Sequence, residues 1–273
     1  METPERSSLR CLFLPIRAKC GAILANQRGL AIPLANDNWS LPMDVLAFAS
    51  RKGGSGKSTL TAHLAVHVHR PSRPCLLIDD DPQGSLTLWN ELRGNDALPI
   101  KSVKRGIGDI IKKAKRNNVE WVFIDTAPNV SPSVIEAIEA ATLVIIPCRP
   151  GLFDLDAVQE TITYAREART PYAVVFNAAP PKREDLESPA VTAARECLAR
   201  LKVPVWGGQI THRAGFSLAL NAGQGVKEYD ADADPTAEIA RLWQAIDKSV
   251  KAIRGARAGT VMHRVAAQCM LRR

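Results

Sequence analysis

Residues 51–59 read RKGGSGKST, a run whose glycines, lysines and hydroxyls have the spacing of a phosphate-binding loop. Gly53, Gly54 and Gly56 permit positive φ angles and close approach, so successive backbone N–H groups can turn inward around an anion. Lys57 is placed to meet β- and γ-phosphates as a charge and the Ser58 hydroxyl to ligate Mg²⁺, with Ser55 and Thr59 completing the cradle. The run departs from the usual G-x-x-x-x-G-K-[ST] in two ways. Arg51 stands where the first glycine belongs, and a second lysine, Lys52, precedes Lys57 by five positions.

Magnesium carried by a nucleotide keeps several waters and is steadied by acids at strand ends. Two runs supply such acids: LLIDDDPQG, with Asp79, Asp80 and Asp81, and WVFIDTAPN, with Asp125. Each closes an apolar stretch, so both fall at carboxyl ends of strands, where ligands bind in parallel sheets. Alone, acids in such places are ordinary turn residues. Beside the loop they read as a metal–nucleotide site.

These residues need a scaffold that gathers several strand ends, and from Asp44 onward the pattern is β then α, repeated. DVLAFAS, CLLID, WVFID, TLVIIP, YAVVFN and VPVWGGQI read as six strands. Between them, Leu60, Leu64 and Val68 share one helical face, as do Ile107, Ile110, Ile111 and Ala114. SLTLWNEL, SVIEAIEAA and DLDAVQETITYAREA read as helices, as does SPAVTAARECLARL, opened by Ser188 and Pro189. A last helix starts at Pro235 with Asp234 as its N-cap. Strands this apolar, alternating with helices, predict an α/β fold: a single P-loop domain whose mainly parallel sheet is covered by helices on both faces. The domain spans 43–248. Residues 1–42 have no period and read as a disordered extension or a mis-assigned start, and 249–273 as a basic C-terminal tail.

Composition narrows the setting. With 46% hydrophobic and 23% charged residues the chain is an ordinary globular protein, and no apolar run nears the ~18 residues of a membrane span. The cysteines form no C-x-x-C pair, which argues against a thiolate metal site. Cys75 and Cys148 adjoin apolar runs and read as buried thiols of a reducing, cytoplasmic compartment. The net charge of +8 lies in the ends, since residues 43–248 are neutral overall, so a polyanion partner would touch an end. His63 and His67 sit four apart, but Leu64 stands where a zinc protease has Glu, so they read as a solvated helix face. The basic run from Lys101 to Arg116 reads as solvated too. Val261, Val265 and Cys269 have helical spacing in the tail, with too little apolar bulk to hold a membrane surface.

Four motifs in order, KGGSGKST, LLIDDDPQGSLT, VFIDTAPN and LVIIPCRPGLFDLDAV, resemble those of the ParA/MinD group of deviant-Walker ATPases. DPQGSLT and IPCRP look like the small ParA branch, whose members position plasmids, chemoreceptors or carboxysomes. In that family an upstream lysine, matched by Lys52, reaches across a dimer interface to the partner's ATP, and Lys57 serves its own subunit. The resemblance further implies that Asp81 orients the attacking water and that Asp79 and Asp125 hold Mg²⁺ with Ser58. It matches Asn177 to an adenine-reading asparagine and places Arg213, in ITHRAGF, among DNA contacts. Asp80 receives no role.

The implied protein is an ATPase with ATP and Mg²⁺ as cofactors, slow alone and stimulated by a ParB-like or other small adaptor. It would dimerise with ATP, bind DNA without sequence preference, reside in the cytoplasm on the nucleoid, and segregate a plasmid, chromosome or other cargo. Two other readings stay open. A MinD-like membrane-cycling ATPase would bind anionic vesicles through its tail, and a metabolic ligase or synthetase on the same fold would turn over a small substrate without DNA.

Overall fold

The computed structural model describes residues 43–270 other than 96, 104 and 105, with side chains to residue 258. The expectation for residues 1–42 and the spacing of Val261, Val265 and Cys269 lie outside these limits. Strands β1 (Asp44–Phe48), β2 (Cys75–Asp80), β3 (Ile100–Ser102), β4 (Trp121–Thr126), β5 (Leu143–Cys148) and β6 (Tyr172–Phe176) form one sheet. Their order is β3-β2-β4-β1-β5-β6, and the pairings are parallel. The helices are α1 (Lys57–Val68), α2 (Ser85–Arg93), α3 (Ile107–Arg116), α4 (Pro132–Ala140) and α5 (Leu152–Glu167). After them come α6 (Pro189–Arg200), α7 (Ala214–Asn221), α8 (Val226–Tyr229) and α9 (Asp234–Met270).

Side chains alternate across each strand, so one sheet yields two cores. Val45 and Ala47 of β1, with Ile78 and Ile124, pack under α3, α4, α5 and α6. Leu46 and Phe48, with Leu77 and Phe123, pack under α1, α2, α7, α8 and α9. Each such Val, Leu, Ile or Phe side chain contributes roughly 1.5–3 kcal/mol on burial, which explains why the strands are apolar on both faces. The chain leaves β1 toward β2 on one side, while β5 leads to β6 on the other. Crossovers that diverge in this way open a ligand crevice at the carboxyl edge. Register completes the arrangement: Asp125 lies opposite both Phe48 and Asp79.

The expected α/β fold is present, with one strand exchanged for another. VPVWGGQI forms no ladder with β6: it meets the strand at an isolated bridge between Val205 and Val174 and through the Ile210 N–H, which donates to the Phe176 carbonyl at 2.8 Å. Arg195 takes the carbonyls of Trp206, Gly207 and Gly208 (2.7, 3.3 and 2.7 Å), which a ladder would need. The sixth strand is instead β3, three half-buried or exposed residues too short to show a period. Ser188 caps α6, its hydroxyl accepting from the Val191 N–H at 3.4 Å. Helix α9 begins at Asp234 itself and runs unbroken through residue 248 to Met270. Trp243 meets Trp121 edge-on at 4.7 Å, Val250 is buried, and Arg254 pairs with the buried Asp44 of β1.

The histidine pair is not a solvated face. Helix α1 is covered by the sheet below and by α8 and α9 above. His63 is 1% exposed, its Nδ1 accepts from the Val226 N–H at 3.2 Å, and its ring lies 5.3 Å from Phe216. His67 is half-buried. Cys75 and Cys148 are buried as expected, and burial pushes both thiols up to about 12.

Candidate nucleotide site

The loop between β1 and α1 passes through left-handed backbone at Gly54 (φ 71°) and Gly56 (φ 96°), angles that suit glycine. Gly56 is the N-cap of α1, so Lys57 and Ser58 open the helix at its positive end. Lys57 is buried and its Nζ donates to the Ser50 carbonyl at 3.2 Å, folding back across the loop. Burial lowers its pKa, against the attraction of Asp125 and Asp81. A cleft of about 640 Å³ has Gly53, Gly54, Gly56, Lys57, Ser58 and Thr59 along one wall and Asp81, Leu88 and Trp89 along another. Ser55 is fully buried behind them.

The acids divide in role. Asp79 is engaged: one oxygen accepts from the Thr87 N–H and hydroxyl (2.9 and 2.7 Å), the other from the Asp81 N–H at 3.3 Å. It ties the first turn of α2 to the sheet. Asp81 accepts from the Gln83 N–H at 3.0 Å and lines the cleft. Asp125 is different, because both its oxygens are buried without a hydrogen-bond partner of normal geometry. Burial pushes its carboxyl up to about 7, opposed by the Ser58 hydroxyl and Lys57. A carboxylate in that setting calls for a cation. Among the described residues no group of three or more His, Cys, Asp or Glu could hold a metal ion alone. A nucleotide's magnesium fits this sparse donor set, since it takes phosphate and water oxygens besides one or two protein groups.

The two departures from the usual motif have distinct placements. Arg51 anchors the start of the loop to α5, its N–H donating to the Thr161 hydroxyl at 3.3 Å and its guanidinium pairing with Glu160. Lys52 is exposed, with Nζ 5.9 Å from the ring centre of Phe153. It is not among the residues that line the cleft. Arg149, in the IPCRP run, does line the cleft: a Cβ on Gly54 would sit 3.6 Å from its guanidinium. Sequence reasoning assigned no role to Arg51, Thr87 or Arg149, and only the quoted IPCRP motif carried a signal for the last. Asn177 lies against the loop, its side-chain amide donating to the Ser55 carbonyl at 2.7 Å. Arg213 is not at the cleft. It pairs with Asp234 at 2.7 Å and Glu238 at 3.2 Å.

A family model described as the CobQ/CobB/MinD/ParA nucleotide binding domain matches residues 46–226, which include the loop, both acid runs and Asn177. The chain belongs to that family. Among curated relatives it is 28% identical over 192 residues to Protein ParA of Rhizobium radiobacter, covering 66% of this chain and 84% of that one. It is 27% identical over 195 residues to the maintenance of carboxysome distribution protein A of Halothiobacillus neapolitanus, covering 68% and 88%. Among solved structures, an ATP complex of McdA from Cyanothece superposes with a TM-score of 0.59 at 19% identity, over 79% of this chain and 97% of that one. MinD of Aquifex aeolicus gives 0.60 at 17% identity, over 75% and 97%. At these identities the structural likeness is one of fold. The ParA/MinD chain thus carries a nucleotide-binding P-loop ATPase domain, and among the described residues no helix is long and apolar enough to cross a membrane.

Proposed function

We propose that this protein is an ATP-switched, dimerising ATPase whose ATP-bound dimer binds DNA without sequence preference and positions a cargo. The observation that carries the reading is the buried, unpartnered Asp125 beside Lys57 and Ser58 at the foot of a glycine cradle. That arrangement suits a magnesium-bound triphosphate, and relatives are named for chromosome partitioning and carboxysome distribution. Lys57 and the loop amides bind the phosphates. Ser58, Asp79 and Asp125 would hold Mg²⁺, and the ion when bound would neutralise charge on the phosphates. Asp81 orients the attacking water from its turn at the cleft. Lys52, exposed at the rim, serves the triphosphate of a second subunit, so that nucleotide acts as dimer glue.

DNA contacts come from Lys and Arg, with Arg213 and the C-terminal arginines as the assigned sources. Arg213 must first give up its two carboxylate partners, so its contact depends on conformation. A ParB-like or other small adaptor stimulates hydrolysis, and the protein works in the cytoplasm on the nucleoid. The test is DNA binding with ATP or ADP across a salt series, for wild type and Asp81→Ala. Wild type should bind with ATP and lose affinity as salt rises, the log–log slope growing by roughly 0.9 per phosphate contacted. Asp81→Ala should bind ATP and persist on DNA, because its hydrolysis falls by orders of magnitude. Wild-type binding that ignores both ATP and salt would remove the DNA-switch reading.

A further inference from the structure

We propose that Asn177 is a positioning residue that holds the phosphate loop open for an anion and, through the same bond, couples the choice of base to the grip on phosphate. The proposal rests on the nucleotide-binding reading of the cleft. Asn177 follows β6 directly and is anchored to the sheet, its backbone N–H donating to the Cys148 carbonyl at 2.8 Å. The next residue, Ala178, turns through a left-handed φ of 49°, a conformation alanine adopts only under constraint. From this post the side-chain amide, on a residue 7% exposed, donates to the Ser55 carbonyl across 122 positions of sequence. Asn177 also explains Gly56 beyond its φ angle: a Cβ there would lie 2.0 Å from Asn177 Nδ2.

The physical effect follows from what a phosphate loop must do. Its N–H groups can converge on an anion only if its carbonyls turn away. Ser55 is fully buried, so its carbonyl needs a donor or costs a desolvation penalty. The hydrogen bond of the Lys57 ammonium goes to the Ser50 carbonyl, and the donor to Ser55 is Asn177. Asn177 takes the Ser55 carbonyl, and the helix that starts at Lys57 is held in line behind it.

The same bond sets the amide's orientation. A carbonyl can only accept, so the nitrogen of Asn177 is the atom that faces Ser55, and Oδ1 is left as an acceptor beside the remaining N–H. An acceptor next to a donor matches the amine and ring nitrogen of adenine. Guanine presents two acceptors on that edge, so one of them meets Oδ1, and turning the nitrogen toward it instead would release Ser55. A wrong base therefore loosens the phosphate loop as well as losing its own contacts.

Tripolyphosphate, which has no base, separates the two effects. Magnesium tripolyphosphate, ATP and GTP are titrated into the full chain and into Asn177→Ala, with thermal unfolding as the fold control. Tripolyphosphate should bind Asn177→Ala about tenfold more weakly than wild type, and the preference for ATP over GTP should vanish. Unchanged tripolyphosphate binding with weakened ATP would overturn the loop role, leaving Asn177 a reader of the base alone. A surviving ATP preference would overturn the coupling. Asn177→Leu, near in shape and without a donor, serves if Asn177→Ala does not fold, and tripolyphosphate binding like wild type's would overturn the loop role there too. If wild type binds neither ATP nor tripolyphosphate, the nucleotide reading itself falls, a result distinct from any difference between variants.

Discussion

Both oxygens of Asp125 are buried without a hydrogen-bond partner of normal geometry, and burial pushes its carboxyl from 3.8 up to about 7 against the Ser58 hydroxyl. A folded-state pKa above the unfolded value means that the folded chain holds a proton the unfolded chain has released. Stability is then greatest below pH 4 for this group and falls as pH rises to 7, by at most ~4 kcal/mol. The site keeps this cost because a cation can remove it. Asp125→Asn, near in shape and uncharged, should raise the thermal midpoint of the nucleotide-free chain by several degrees at pH 8. The gain should vanish near pH 4, and the magnesium-dependent part of ATP affinity should be lost. A variant no more stable than wild type at pH 8 would contradict the burial argument. Lys57, Ser58 and Asp125 could be singled out in the sequence because the loop gives the acid run beside it a chemical use that the run lacks alone, and the structure brings the three together. The Asn177–Ser55 and Arg51–Glu160 contacts could not be, since no local pattern reports which residues distant in sequence meet at a sheet edge.

Helix α1 links the loop to the C-terminal helices, and His63 is the polar point of that link. Its imidazole accepts from the Val226 N–H, and burial lowers its pKa to about 4. Here the folded chain resists a proton that the unfolded chain accepts. Stability from this group is intact above pH 6.5 and lost as pH falls through 4, by up to ~3 kcal/mol. His63→Asn offers a non-titrating acceptor near Nδ1. Its acid limb of unfolding should be shallower than wild type's between pH 6.5 and 4, and parallel limbs would show that His63 does not drive acid sensitivity. Elements with a full apolar period, such as β1, β4 and α5, could be read directly. The rest could not, for physical reasons. β3 is too short, the segment after α6 loses its carbonyls to Arg195, and α1 looks half-solvated until α8 and α9 cover it.

Across the whole molecule, the second lysine of the loop decides between an isolated nucleotide-binding protein and a switch. Lys52 lies exposed beside Phe153, which with Leu152 is about three-quarters exposed (76% and 77%) at the start of α5. A cation among uncovered apolar side chains at the rim of a nucleotide cleft suits a surface that a second subunit covers. Lys57 and the loop amides bind phosphate without Lys52, so losing Lys52 should separate binding from assembly. Sedimentation of wild type and Lys52→Ala with magnesium and either ATP or ADP tests this most directly. Wild type should sediment as a dimer with ATP and a monomer with ADP, while Lys52→Ala binds ATP yet stays monomeric and does not hydrolyse it. Lys52→Ala that dimerises and hydrolyses ATP as wild type does would contradict the account.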